Sequence, residues 1–395
     1  MTTTEPQSKR PFVQGFFYND PDTYPPIVNA VRILAEAGFE IELLGRETGR
    51  KWGVAYPESA RIVRVDSRAK GSWREFFRYL RYCYGEARPC VDFFWGHDIH
   101  GLMVARLLGW RYRRPVVYQC HEYISRNDRL PPGSRMARWF EQRFARTASF
   151  VIAPDQDRAN AMQRELFLPD APLVAANAPR WTPRRSSNRL RTTLLQAGKA
   201  WEKIVFRQGR IGPGHAIENT VRSITKWQNS KWGFAVMGVV DEPFRMQVDA
   251  LARSLGVERQ FHILPPVGYD QVAEFTAGAD VGHGLYEPIN FTNTHYTTSS
   301  NKIMEYMAAG LPLLVSDTQR LRELVARCRC GVTVNEGVPD EIAQSVNQLL
   351  ASDVESRLAG EAGRHAFDER YCYDRQFAPI LERMRALTTC QPAAS

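Results

Sequence analysis

No stretch of this chain approaches the ~18 consecutive apolar residues that a membrane-spanning helix requires. The first ten residues are polar and lack the apolar run of a secretory signal. Cysteine is scarce and scattered: Cys83, Cys90, Cys120, Cys328, Cys330, Cys372 and Cys390 include no C-x-x-C pair. Neither a zinc site nor a disulfide framework is indicated, and a reduced, cytoplasmic setting is expected. Low-complexity tracts and evident internal repeats are missing as well. So are a Walker loop and a Ser–His–Asp array.

What remains is an ordinary globular sequence of 395 residues, 44% apolar, long enough for two α/β domains of ~150–200 residues each. Its net charge of +9 is unevenly spread: residues 51–150 hold nineteen Lys and Arg against nine Asp and Glu. A basic face of this kind attracts polyanions such as phospholipid headgroups, nucleic acid or pyrophosphate-linked lipids. The segment 73–82, WREFFRYLRY, alternates basic and aromatic residues at helical spacing, and Arg111, Arg113, Arg114 and the stretch 135–146 add to the same half. Either its aromatics pack inward or the helix lies on an anionic membrane surface. No nucleic-acid recognition module is present, and nucleic acid is not an expected partner.

Along the first half, strand patterns at 12–17, 39–44, 91–95, 115–119 and 149–153 alternate with helical patterns at 27–37, 101–108 and 158–166. This alternation predicts a parallel sheet with helices on both faces. Residues rich in Pro, Arg and Ser then interrupt it, and 181–200 reads as a linker. Alternation resumes with strands at 204–206, 233–237, 261–264, 281–284 and 313–316 and helices between them. The expected organisation is an N-terminal domain over 1–180, a C-terminal domain over 201–365 and a helical tail over 366–395. Two doubly wound sheets would leave a cleft between them, with ligand at the carboxyl ends of the strands.

The sharpest local signal opens the second domain. A strand runs into residues 207–215, RQGRIGPGH, and then a helix. Gly209, Gly212 and Gly214 let backbone N–H groups approach an anion, and Arg210 offers a planar fork for phosphate oxygens. A tight turn would use glycine too, so the loop gains meaning from residues 299–317. There Ser299 or Ser300 can cap a helix starting near Asn301, with Lys302 in its first turn. A cation at that end opposes the helix dipole unless an anion lies nearby. Glu305 shares the Lys302 face. A lysine for phosphates and a carboxylate for ribose hydroxyls together make a nucleotide-sugar holder; the alternative is a plain surface Lys–Glu pair.

The stretch 301–317, NKIMEYMAAGLPLLVSD, resembles the donor-site signature of family 4-like retaining glycosyltransferases of the GT-B fold. Ala279-Asp280, Gly209-Arg210, the segment 97–105 (HDIHGLMVA) and 116–122 (VVYQCHE) match the same family in the same order. The likeness spans most of residues 12–385. It implies two Rossmann-like domains facing across a cleft, with a C-terminal helix returning to the first. By resemblance, Gly209, Arg210 and Lys302 hold the donor diphosphate, Glu305 the ribose, and His121 the transferring sugar. His97 and Asp98 would line the acceptor side. No metal or other cofactor is implied beyond the nucleoside-diphosphate sugar as substrate.

The chain departs from the family in three places. Where a first glutamate is usual, eight positions before Glu305, stands Thr297; Glu287 is a substitute nearby. His215-Ala216 replaces the lysine that often follows the loop. NDPDTYPP at 19–26 replaces a Gly-Gly start. Asp155-Gln-Asp157 has the D-x-D form of a metal site, but its place after a strand suits helix capping better. His97 and His100 lack a third ligand. The expected function is sugar transfer from a nucleotide sugar to a glycan or lipid-linked acceptor with retention, in cell-surface polysaccharide or glycoconjugate synthesis. Alternatives are a non-catalytic nucleotide-sugar-binding homologue and an epimerase on the same fold.

Overall fold

The computed structural model describes residues 10–49, 52–66, 73–123, 132–289 and 291–389. The polar leader 1–9 and Cys390 lie outside the described residues. The chain divides into two compact units. One takes in Met1–Lys51, Ala55–Ala175 and Gln376–Ser395, the other Trp52–Val54 and Ala176–Arg375.

The first unit is built on seven strands: β1 (Phe12–Phe17), β2 (Glu40–Glu47), β3 (Ala60–Asp66), β4 (Phe93–His97), β5 (Val116–Gln119), β6 (Phe150–Ala153) and β7 (Leu173–Val174). They form one sheet in the order β3-β2-β1-β4-β5-β6-β7, and every pairing is parallel. The central strands are buried on both faces, so β4 reads Phe-Phe-Trp-Gly-His without polar alternation. Gly96 is required there because a Cβ would lie 2.6 Å from Leu102 Cα in the helix Asp98–Tyr112. That close crossing brings the end of β4 and the start of the helix together.

The second unit has six parallel strands: β8 (Lys203–Gln208), β9 (Trp232–Met237), β10 (Phe261–Leu264), β11 (Val281–Gly284), β12 (Leu313–Ser316) and β13 (Gly331–Val334). Their order is β10-β9-β8-β11-β12-β13. Its core joins Val205, Phe234, Val236, Leu314 and the helix residues Ile217, Val221, Ile342 and Val346. In each sheet the strand order reverses once, between β1 and β4 and between β8 and β11. Such switch points are where doubly wound sheets receive ligands.

The doubly wound α/β reading holds for both units. By contacts the first unit runs to Ala175, and the next residues bond within the second. Asn177 N donates to Thr298 O and Asn177 Nδ2 to Ser299 O, each at 2.8 Å. Arg180 pairs with Asp374 at 2.6 Å. The stretch 181–200 is not a plain linker: it contains the helix Arg189–Gln196, which buries Leu190 and Leu194 and anchors Arg191 on Asp280 at 2.6 Å. The tail 366–395 divides. Its turn Phe367–Tyr371 belongs with the second unit, and the helix Tyr373–Thr389 is grouped with the first from Gln376 onward.

Candidate functional site

Each unit gathers polar side chains at its switch region. In the first, His97 ends β4 and His121 lies just beyond the neighbouring β5. Their rings are nearly parallel, 12° apart, with His97 Nδ1 3.1 Å from His121 Nε2. Trp95 and Phe17 enclose them, with centroids 4.2 Å and 5.8 Å from the His97 ring. Burial pulls His97 well below its ordinary range and His121 down to about 4. Both imidazoles are therefore neutral at pH 7, and one N–H must lie between them.

Asp98 follows, with φ of 50° at the first position of its helix. A non-glycine residue in the left-handed region is strained. Here the turn lets the carboxylate accept the amides of His121 at 2.7 Å and Glu122 at 3.3 Å. Burial pushes Asp98 up to about 6 despite those bonds. Glu122 also accepts the Tyr24 hydroxyl at 3.2 Å. His97 and Asp98 thus buttress His121. His97 itself has no exposed surface, and its Nδ1 faces His121.

In the second unit the loop after β8 is fixed by its backbone. Gly209 N donates to Met237 O and Ile211 N to Val239 O, each at 2.9 Å. Gly209 has φ of 99°, and its carbonyl presses on Gly238, where a Cβ would lie 1.6 Å from Gly209 O. Gly214 O accepts the amide of Glu287 at 2.9 Å and Asn293 Nδ2 at 3.2 Å. Glu287 is therefore docked to the loop through its backbone, whereas Thr297 O accepts Ser300 N at 3.1 Å.

Lys302 sits in the first turn of the helix Asn301–Ala309, which has no acidic residue there. Its Nζ would be 3.8 Å from a Cβ at Gly209. Lys302 donates to the Tyr286 hydroxyl, and burial lowers its own pKa. Arg210 is exposed; its guanidinium makes no hydrogen bond or ion pair among the described residues, while its backbone bonds His215. Burial, and after it the charges of Arg207, Lys302 and Arg210, pull His215 down to about 2. Three cations thus act on one neutral imidazole, whose Nδ1 is enclosed without a partner. One turn along, Glu305 accepts the Gln208 amide, and burial pushes its carboxyl up to about 7. Gln208 is oriented from behind by Thr276, whose hydroxyl donates to Gln208 Oε1 at 2.6 Å.

Sequence reasoning missed Arg207, Tyr286, His283 and Gln208. In the string Lys-Ile-Val-Phe-Arg-Gln, Arg207 has no mark distinguishing it from a solvent-facing arginine. Among the other motifs, Asp155 caps the helix Gln156–Glu165 by accepting Arg158 N at 2.7 Å and also pairs with the Arg158 guanidinium. On the first unit's surface, Trp73, Phe77, Trp110 and Trp139 are exposed. Arg106 covers the Trp110 ring at 4.9 Å, and Trp110 meets Phe144 at 5.3 Å. Arg111 covers Tyr84 at 4.9 Å. No helix among the described residues is long and apolar enough to cross a membrane.

Residues 27–179 match the glycosyl transferase 4-like domain, and residues 202–352 match the glycosyl transferases group 1 domain. Among curated proteins, an uncharacterized glycosyltransferase of Methanocaldococcus jannaschii is 27% identical over 179 residues. That alignment covers 44% of this chain and 42% of the relative, so the chain spans under half of the relative's length. Among solved structures, HepE of Anabaena in complex with UDP-glucose superposes with a TM-score of 0.71 at 15% identity, covering 95% of this chain and 99% of that one. WaaG, a glycosyltransferase involved in lipopolysaccharide biosynthesis, gives 0.65 at 16% identity over 96% and 99%. At such identities the likeness concerns the fold.

Proposed function

We propose, from the premise that this chain is a GT-B-fold glycosyltransferase related to the glycosyl transferase 4-like family, that it moves a sugar from a nucleoside-diphosphate donor to a glycan or lipid-linked acceptor. The observation that carries the donor half is the convergence of Arg210, Lys302 and the Gly209 loop on His215. Lys302 is buried and Arg210 exposed, and neither forms a salt bridge among the described residues, an arrangement that favours a bound dianion. Lys302 and Arg210 would neutralise the diphosphate, and Glu305 would accept the ribose hydroxyls. Glu287, tied to Gly214, takes the place of the missing glutamate at Thr297 as a partner for a sugar hydroxyl.

Neutral His121, held from behind by His97 and Asp98, is assigned to the transferring sugar. Its ring can accept or donate one hydrogen bond without carrying charge of its own. Transfer with retention would have the departing phosphate take the acceptor's proton, so the protein contributes charge stabilisation and exclusion of water. Because the protein's own cations supply that charge, the reading includes no metal. The basic, aromatic surface of the first unit suits peripheral attachment to an anionic membrane on the cytoplasmic side, which fits a lipid-linked acceptor in polysaccharide or glycoconjugate synthesis.

The test begins with thermal shift against UDP-, GDP- and ADP-sugars and NAD. A UDP- or GDP-sugar should stabilise the protein, and NAD should not. Donor turnover should then vanish in His121→Ala. Stabilisation by no nucleotide sugar would overturn the reading. A nucleotide sugar that binds without turnover would favour a non-catalytic binder, for which Thr297 is the motivating departure. Release of nucleoside diphosphate and an altered free sugar, with no acceptor present, would favour an epimerase.

A further inference from the structure

Arg207 has no exposed surface and makes no ion pair among the described residues. Its Nη1 donates to Leu285 O at 2.8 Å and meets His283 Nδ1 at 3.2 Å, while Nε and Nη2 are enclosed without partners. The histidine cannot share the charge. His283 Nε2 lies 2.8 Å from Thr220 Oγ1, whose own proton goes to Ala216 O, so Nε2 carries the imidazole proton and Nδ1 accepts from the guanidinium. A buried charge left in this state is strongly unfavourable unless the fold has a use for it.

The guanidinium also faces an aromatic ring. Arg207 Cζ lies 4.8 Å from the centroid of Tyr286, and Lys302 Nζ lies 4.7 Å from the same centroid. Lys302 also donates to the Tyr286 hydroxyl. His215 meets the ring edge-on at 5.1 Å, and Tyr296 packs against it at 4.4 Å. Tyr296 is itself fixed, donating to Gly284 O and accepting from Ser316 N. These groups, with Glu305 acting on Lys302 from the same helix, are the titratable surroundings of the phenol.

We propose that Arg207 and Tyr286 are positioning residues: Arg207 holds the Tyr286 ring, and the Tyr286 hydroxyl holds the Lys302 ammonium beside Gly209, where the diphosphate is received. The inference rests on the donor-site reading above. The electrostatics agree with the geometry. Burial pushes the phenol up, but Lys302 and Arg207 outweigh it and bring Tyr286 down to about 8. Lys302 itself is too buried to hold its charge cheaply, and a fixed acceptor counters that tendency.

The test is a double-mutant cycle read by binding of UDP, GDP and ADP. Tyr286→Phe keeps the ring and removes the hydroxyl, and should weaken binding about three- to tenfold, the worth of one hydrogen bond. In a Lys302→Met background the same change should do nothing further. Equal losses in both backgrounds, or no loss in either, would overturn the proposal. A second readout needs no ligand. Phenolate absorbance should show one tyrosine ionising at about pH 8, absent in Tyr286→Phe and shifted upward in Lys302→Met and Arg207→Met. If wild type binds no nucleoside diphosphate, the donor-site reading fails while this titration still decides whether Arg207 and Lys302 grip Tyr286; a step that survives Tyr286→Phe would sink the arrangement itself.

Discussion

His97 Nδ1 and His121 Nε2 face each other at 3.1 Å across nearly parallel rings, so each histidine fixes the protonation of the other. Two imidazolium ions could not share this enclosure. His121 titrates at about 4 in the fold against 6.5 for a free histidine. Between those values the unfolded chain takes a proton that the folded chain refuses, so stability is lost as pH falls. The wild type should therefore lose about 3 kcal/mol relative to His121→Gln between pH 7 and 4. Asp98 is present in both proteins, so its opposite contribution cancels. Urea unfolding at pH 7, 5.5 and 4 measures the difference, and parallel profiles would contradict the assignment.

Glu305 is half ionised near neutrality, since burial raises its carboxyl to about 7. Only the carboxylate can accept two hydroxyl donors at full strength. The KM for the nucleotide-sugar donor should fall as pH rises through 7 in the wild type. In Glu305→Gln it should be about tenfold higher and flat over the same range, the loss expected for a charged hydrogen bond. A donor KM with identical pH dependence in both proteins would remove Glu305 from the ribose.

Gly238→Ala should damage the loop without touching a ligand. Its Cβ would lie 1.6 Å from Gly209 O, forcing that backbone away from Lys302. The expected result is a stability loss of about 1–3 kcal/mol and a marked drop in nucleotide affinity. Gly85→Ala, at the end of the helix Trp73–Gly85 and outside the loop, is the control, because a Cβ there meets nothing within 4 Å. Denaturant melts and nucleotide titrations of the two variants should differ clearly; equal behaviour would mean the loop yields freely.

The exposed aromatic and basic surface makes a prediction about lipids. Flotation should recover the protein with vesicles containing phosphatidylglycerol but not with phosphatidylcholine alone, and added salt should release it. Arg81 and Arg143 are exposed on the helices Trp73–Gly85 and Pro132–Ala145. Replacing either with Gln should weaken recovery about fivefold, in line with ~1 kcal/mol per basic residue at an anionic surface. Binding indifferent to lipid charge would exclude this role.

Much of the fold was legible because strands of a parallel sheet buried on both faces are nearly continuous apolar runs, as in β4 and β9. Strand β3 escaped notice because it is an edge strand in which Arg61 and Arg64 interrupt Ile62, Val63 and Val65. The helix Arg189–Gln196 was hidden by its Pro- and Arg-rich setting, although Leu190 and Leu194 stand one turn apart. In the site, Lys302, Glu305 and His121 announced themselves through local motifs. Arg207 and Tyr286 could not, because their meaning comes from β8 and β11 lying side by side, and that adjacency is a property of the sheet order.

The solitary guanidinium of Arg207 has a consequence for anyone trying to toughen this protein. Selection for heat resistance alone, with no substrate present, would reward its replacement by a neutral side chain. Variants improved in this way should emerge sturdier and with impaired donor handling, so any screen ought to apply its thermal challenge with nucleotide in the tube.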